Sequence, residues 1–407
     1  MGFSQGLSGL NAAAKALDVV GNNIANSQTY GFKAGSIAFA DVFAGVDGLG
    51  VQVAGVSQNF GQGSLDTTGG ILDMGINNGR GFFRMVNSDG GVFYGRNGQF
   101  DTDEEGFIVN KTNGLFLTGY QATGTPPTIE PGAGVGPIRI PQNGMTPQAS
   151  SKGSLIGNLK ADDDKVAETP FNPENEKSFN YQSQVEAYDS LGNKHSVKIY
   201  YAKDANGDWK AYANDSTAPK LGGTPPEPVF SELGLTFDSS GNMTGTTNLV
   251  IEGVSFNGAE PLKFDLDMSG MTKHSTDFKV QLESSDGYAP GTFQGYSVSD
   301  GGEITVKYSN GQTQVLAQVV MADFANEGGL ASKGGNVWEE TAQSGQPFLG
   351  TSGSGSFGSI KGGMLESSNV ELGQEMVNMI VYQRNYQSNS QTIKTQSELL
   401  QTLVNLR

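Results

Sequence analysis

The stretches 7-LSGLNAAAKALDVVGNNI-24 and 372-LGQEMVNMIVYQRNYQSNSQTIKTQSELLQTLV-404 decide how the rest of the chain is read. In the first, Leu7, Leu10, Ala14, Leu17, Gly21 and Ile24 follow one another at alternating steps of three and four, which places them on one narrow seam of a helix. In the second, Leu372, Met376, Met379, Gln383, Tyr386, Ser390, Ile393, Ser397, Leu400 and Val404 keep that alternation over more than four heptads, and Ile380 and Leu403 widen the stripe. Almost everything between them reads as Gly-rich β structure. A β protein bracketed by two coiled-coil-like helices is expected to join copies of itself. Leu7, Leu10, Ala14, Leu17, Ile24, Leu372, Met376, Met379, Tyr386, Ile393, Leu400 and Val404 are its predicted polymer interface.

The same spacing fits terminal helices packed on the body of their own domain. Two details favour packing between chains. Polar or small residues interrupt the seams at Gly21, Gln383, Ser390 and Ser397, so an isolated helix pair needs further neighbours to become stable. The first thirty residues carry only Lys15 and Asp18 as charges, and their outer face is Ser, Gln, Asn and Ala, which suits close packing.

Composition narrows the class. A length of 407 residues allows two or three domains, each burying its own core. Fifty-nine glycines without a collagen-like period fit many short strands and tight turns. A formal charge of −17 opposes nucleic-acid and anionic-membrane binding. The absence of cysteine excludes disulfides, zinc–thiolate sites and Cys nucleophiles. No stretch approaches the ~20 apolar residues of a membrane span, and no cleavable signal peptide opens the chain. The protein is therefore expected either to stay in the cytoplasm or to leave the cell by a route that reads another signal.

Along the chain, the first helix should run from about Ser4 to Asn26-Ser27. Residues 34–70 read as a connecting segment with a short alternating run at Val51 and Val53. A hairpin-rich β domain spans 71–145 and resumes at 288–363, with turns at Asp89-Gly90, Asn97-Gly98, Asn113-Gly114 and Asn310-Gly311. Between them, 146–287 reads as an inserted outer β domain, and the stretch 150–290 carries 21 acidic and 12 basic residues. The expected fold is mainly β with α-helical termini: nested β domains bracketed by paired terminal helices at 1–33 and 364–407.

Three motifs then carry a resemblance. Ser8-Gly9-Leu10-Asn11-Ala12-Ala13, Leu17 to Asn26 and Tyr30-Gly31-Phe32-Lys33 resemble the N-terminal signature of bacterial flagellar rod and hook axial proteins. Glu375 to Ile380, Gln383 to Asn389 and Ile393 to Gln396 resemble their C-terminal signature, and Gly81-Phe82-Phe83 with Gly95 to Phe100 resembles a strand motif of their first globular domain. The large insertion, together with Leu316 to Trp338, makes the hook members of that family the best match.

The resemblance implies a structural subunit of a flexible tubular joint that passes motor torque from rod to filament, with paired helices around a channel and the insertion outermost. It implies a homopolymer, with rod, hook-cap and hook-filament junction proteins and the export apparatus as partners. It also implies an extracellular position in the flagellar hook on the basal-body side, export without a cleaved signal peptide, and helices poorly ordered before assembly. Cysteine-dependent crosslinking is not expected here.

An enzyme fares poorly by comparison. Gly353 to Gly358 has the letters G-x-G-x-x-G but lacks a βαβ context, and reads as a flexible linker. Asp204, Asn206 and Asp208 imitate the start of a calcium loop, yet Gly207 is misplaced for one and a hairpin turn fits better. His195 and His274 read as surface residues without second ligands, and Asp162-Asp163-Asp164 as a solvated loop. Asp66 with Asp73, or Glu339 with Glu340, are conceivable carboxylate pairs with no nucleophile beside them. No catalytic, cofactor or metal residue is assigned. The second class kept open is a secreted oligomeric β protein that binds or cleaves polysaccharide.

Overall fold

The computed structural model describes residues 3–44, 47–124, 127–130, 132, 134–141, 143–217, 230–252 and 258–405. It is mainly β, with more than one β unit and a helix at each end, as the patterning predicts: α1 is Phe3–Ala25 and α2 is Leu372–Asn405. No helix among the described residues is long and apolar enough to cross a membrane. By internal contacts the chain divides into two units. Unit 1 is Met1–Gln142, Gln294–Lys307 and Thr313–Arg407; unit 2 is Asn143–Phe293 and Tyr308–Gln312.

The stretch after α1, read from sequence as a connector with one short run, is a long antiparallel hairpin. Its strands are β1 (Gly35–Ala44) and β2 (Asp47–Gln58), with register shifts at Ala38/Phe39 and Val42/Phe43. The rest of unit 1 is built on one large sheet. Its strands run Phe293–Val298, Glu303–Tyr308, Thr313–Asp323, Phe116–Thr123, Phe82–Val86, Val92–Gly95, Val337–Glu339 and Ala331–Gly334, side by side in that order. Phe82, Tyr94, Ala322, Phe324 and Trp338 form a buried cluster against which Phe60 packs. The rings of Phe60, Phe82 and Trp338 meet edge to face at centroid distances of 5.3–5.9 Å, the geometry their quadrupoles favour.

Unit 2 has a five-stranded antiparallel sheet, in chain order from Tyr181–Tyr188 to Met243–Thr244, and a four-stranded sheet. In the latter Lys152–Lys160 pairs parallel with Lys263–His274. Alternate residues such as Trp209, Ala211 and Ala213 point into one apolar core with Leu155, Ile199 and Phe264, the period-2 burial expected of half-exposed strands.

A single five-residue device closes seven hairpins among the described residues: 87–91, 103–107, 189–193, 204–208, 238–242, 299–303 and 308–312. In each, the first residue's N–H donates to the fifth residue's carbonyl, and the fourth residue, a glycine at positive φ, donates to the first residue's carbonyl. At Asn87, Asp189, Asp204 and Asp238 the first side-chain oxygen also accepts from the N–H groups of the third and fifth residues. Only glycine enters that left-handed conformation without strain, and Asp or Asn supplies the oxygen. The Asp204 loop is thus a hairpin. Asn97-Gly98 is not. It joins strands that pair elsewhere, and a Cβ on Gly98 would lie 1.7 Å from the carbonyl oxygen of Met74.

Candidate assembly interface

Leucine and alanine make α1 a good helix, and its small residues let other elements come close. Gly6, Ala12, Ala13, Ala16, Val20 and Asn23 form its buried face. A Cβ on Gly6 would meet Ile393 Cγ1 at 3.1 Å and one on Gly9 would meet Asn389 Oδ1 at 2.7 Å, so α1 and α2 approach through glycine. The hairpin docks by polar contacts. Asn23 Nδ2 donates to the Gly35 carbonyl at 2.8 Å, and Gly35 N–H donates back to Asn23 Oδ1 at 2.8 Å. Val51 N–H donates to Ser8 Oγ at 3.3 Å, and the Phe39 ring meets Tyr382 edge to face at 6.4 Å. Gly9, Ala12, Ala13, Phe39, Val51, Tyr382, Asn385 and Asn389 line a groove of about 240 Å³ among these elements.

The predicted seams lie beside the contacts made within the chain. On α1 all the buried residues except Ala12, that is Gly6, Ala13, Ala16, Val20 and Asn23, precede a seam position by one residue, a rotation of about 100°. Leu7 is exposed, and Leu10, Ala14, Leu17 and Ile24 are half-buried. On α2, Glu375, Asn378, Tyr382, Asn389, Thr392 and Gln396 are half-buried, again one residue before the seam. Leu372, Met376, Tyr386 and Leu400 are exposed, Met379 is half-buried, and Ile393 is half-buried against Gly6 of its own chain. The Val404 side chain lies outside those described. Phe3, Val377, Val381 and Leu399 are also exposed apolar residues, at 47–56 %. Val377 and Leu399 sit one position, and Val381 two, from the strict heptad of α2, whereas Phe3 continues the α1 alternation one step before the first residue assigned to it. From Leu372 to Thr402 no side chain of α2 is buried.

Both helices are rooted in one buried ionic cluster. Lys33 Nζ lies 2.6 Å from Glu366 Oε1 and also donates to the Gly61 carbonyl at 2.8 Å; Arg96 Nη1 lies 3.2 Å from Glu366 Oε2. The three charged side chains are 0–2 % exposed. Burial holds the Lys33 ammonium below the ordinary lysine range, with the Glu366 carboxylate pulling the other way. Arg96 Cζ stands 5.2 Å from the centroid of the Phe82 ring, and its Nε has no hydrogen-bond partner. Sequence reasoning missed this cluster. Its members are 63 to 333 positions apart, and although Lys33 and Arg96 fell inside separate motifs, Glu366 fell in none.

The other sequence candidates find structural partners. Glu340 accepts from Tyr94 Oη at 3.1 Å, Glu339 pairs with Lys333 at 2.6 Å, Asp73 accepts from Thr68 Oγ1 and Asp66 from Ser367. Gly353 to Gly358 is an ordered turn between the strands Phe348–Thr351 and Ser359–Gly362, closed by Gly353 N–H on the Gly358 carbonyl. His274 is exposed, as expected. His195 is not a surface residue. It is 2 % exposed, with Nδ1 on Asp215 and Nε2 3.4 Å from Asp189 Oδ2, because its strand turns that side of the sheet inward. Among the described residues no group of His, Cys, Asp or Glu is arranged to hold a metal ion.

Terminal helices packed on each other, a hairpin laid along them and nested β units place the chain in a class, that of bacterial flagellar axial proteins, and four family models match it in order. They are the flagella basal body rod protein model at 5–33, the flagellar hook protein FlgE/F/G D1 domain at 76–156, the flagellar basal body protein FlaE D2 domain at 158–288 and the flagellar basal body rod FlgEFG protein C-terminal model at 361–406. The chain is 48 % identical to the flagellar hook protein FlgE of Escherichia coli K12 and 47 % identical to that of Salmonella typhimurium LT2, over the full length of each pair. It is 30 % identical to the hook protein of Borreliella burgdorferi, over 99 % of this chain and 98 % of that one. The Helicobacter pylori flagellar hook protein FlgE2 shares the fold, with a TM-score of 0.55 at 18 % identity, covering 74 % of this chain and all of that one. The chain belongs to the flagellar hook protein family, whose members are structural subunits of the hook.

Proposed function

We propose that the chain polymerises through the open faces of α1 and α2 into the hook, the flexible tubular joint that carries motor torque from rod to filament. The observation that carries this reading is the unburied length of α2, with Leu372, Met376, Val377, Ile380, Val381, Tyr386, Leu399 and Leu400 all exposed. So many exposed apolar side chains on one helix mark a contact surface. Burying one such side chain contributes about 1.5–3 kcal/mol, so several together offset the cost of association. A head-to-tail contact through such faces generates an open helical polymer.

The interface residues are Leu7, Leu10, Ala14, Leu17, Ile24, Leu372, Met376, Met379, Tyr386, Ile393, Leu400 and Val404. Residues 146–287, acidic and rich in turns, form the outer domain, where wet, modest contacts let subunits slide as the joint bends. The chain is exported without a cleaved signal peptide, meets rod, cap and junction proteins at the ends of the polymer, and performs no catalysis; it binds neither nucleic acid nor membrane. Purified protein at rising concentration should form curved tubes in negative-stain electron microscopy. Discrete particles at every concentration would overturn the reading.

A further inference from the structure

Both ends of the chain converge on Glu366. Its carbonyl accepts from Gly31 N–H at 2.7 Å, its Oε1 from Lys33 Nζ and from Gly63 N–H at 2.9 Å, and its Oε2 from Arg96 Nη1. These donors come from the segment after α1, the segment after the hairpin and the loop after strand Val92–Gly95, while Glu366 ends the strand Met364–Glu366, six residues before α2. Asn369 adds to the same knot: its Oδ1 accepts from Ala34 N–H at 2.8 Å and its Nδ2 donates to the carbonyls of Asn59 and Gly61.

Two cations and one anion share the site, all out of water. Without the carboxylate, Lys33 and Arg96 would have to be buried side by side, and an unpaired buried charge is among the costliest defects a fold can carry. We propose that the Lys33–Glu366–Arg96 cluster is a closure lock: the segments that root α1 and the hairpin seal onto unit 1 only when Glu366 is delivered from the far end of the chain. Until then Lys33 and Arg96 stay solvated, the segments 29–33 and 61–63 stay detached, and α1 leaves the body in no fixed direction. Once it closes, both helices leave from one point. A chain cut before residue 366 is thereby kept open instead of presenting a correctly posed α1. The inference does not depend on what the chain assembles into.

The test uses the full-length chain with Trp209→Phe, which leaves Trp338, packed on the Phe82 ring beneath Arg96, as the sole tryptophan and a reporter of unit 1. Glu366→Gln keeps the side-chain shape and removes the charge. It should lower the thermal midpoint seen by Trp338 by roughly 10 °C at neutral pH and abolish exchange protection of the Gly31 and Gly63 amides. Lys33→Met should shift the midpoint by only a few degrees, about 3 °C, because Arg96 and Glu366 remain paired. Adding Lys33→Met to Glu366→Gln should restore at least about half of the lost midpoint and the two protected amides.

The Glu366→Gln deficit should also shrink as pH rises from about 7 to about 9.5, since Lys33, facing only Arg96 and the more distant Glu327, can shed its proton in the folded state. A cavity or a lost packing contact has no such pH dependence. A Glu366→Gln midpoint within about 2 °C of the parent, a deficit flat in pH, or Lys33→Met as damaging as Glu366→Gln would each overturn the lock. If Glu366→Gln does not fold at all, the double variant decides: a recovered Trp338 transition supports the lock, and its absence refutes it.

Discussion

Asn23 and Gly35 exchange two hydrogen bonds, side-chain amide to backbone carbonyl and backbone amide to side-chain oxygen, both at 2.8 Å. The last turn of α1 thus serves as a pairing partner for the first residue of β1. Asn23 is 2 % exposed, so no water replaces it. Asn23→Ala should cost about 1–2 kcal/mol and expose the Gly35 amide to rapid hydrogen exchange while leaving unit 2 unchanged. Retained protection at Gly35 would show that the strand holds itself.

Gly31 has φ +71°, and a Cβ there would lie 2.4 Å from the Asn97 backbone nitrogen. Strain and collision act together at a point where the chain leaves α1. Gly31→Ala should therefore destabilise unit 1 by about 2 kcal/mol or more, read as a lowered urea midpoint of Trp338 fluorescence with unit 2 unaffected.

The two seams separate folding from assembly. Met376 is 51 % exposed on the single chain, so Met376→Asp should leave monomer unfolding within about 0.5 kcal/mol of the parent and yet block sedimentable polymer, since a carboxylate buried between chains has no cationic partner. Ile393→Asp differs, because Ile393 packs on Gly6, and it should loosen α2 from α1 even in the monomer. Polymer formed by Met376→Asp at the parent concentration would remove that face from the interface.

His195 lies buried between Asp189 and Asp215. His195→Ala leaves two carboxylates facing each other across a cavity and should destabilise unit 2 by about 2–4 kcal/mol. Trp209, buried in the apolar core of unit 2, reports that loss by fluorescence.

Backbone N–H groups, first that of Asn242, hold the Asp238 carboxyl below its ordinary range, and the Ser269 N–H acts alike on Asp267. A carboxyl whose folded pKa is depressed contributes stability above its unfolded value near 3.8, and that contribution is lost as pH falls through the lower, folded value. Unit 2 should therefore lose stability progressively below about pH 4. Asp238→Asn should fold normally at neutral pH, as the Asn87 hairpin does with the same hydrogen bonds, and should flatten the acid limb.

Much of the fold was legible because its signals are local. Seam spacing located α1 and α2, and Asp89-Gly90, Asn113-Gly114, Asp204 to Asp208 and Asn310-Gly311 marked real turns, since each depends on residues within five positions of one another. β1 escaped notice because its faces are a mixture of Ala, Phe, Asp and Gly that shows little alternation until α1 covers one side. The burial of His195 and the Lys33–Glu366–Arg96 cluster depend on strands and segments meeting across the fold, which no window of sequence displays. Glu366 lies just past residue 364, so a body trimmed there would lose Glu366 and strand Arg96, whereas one ending near residue 370 would keep it.

The repeated five-residue turn has a kinetic consequence. Each of these hairpins nucleates from a loop that its glycine, and at Asn87, Asp189, Asp204 and Asp238 also its first side chain, has already shaped, so pairing begins without a search along the chain, on the ~1–10 μs scale of isolated hairpins. The slow steps are then the few closures of long sequence separation: the parallel pairing of Lys152–Lys160 with Lys263–His274, and the meeting of residues 33 and 366. A chain released in extended form would become a string of ready-made ribbons at once and a finished subunit only when its last segment arrives.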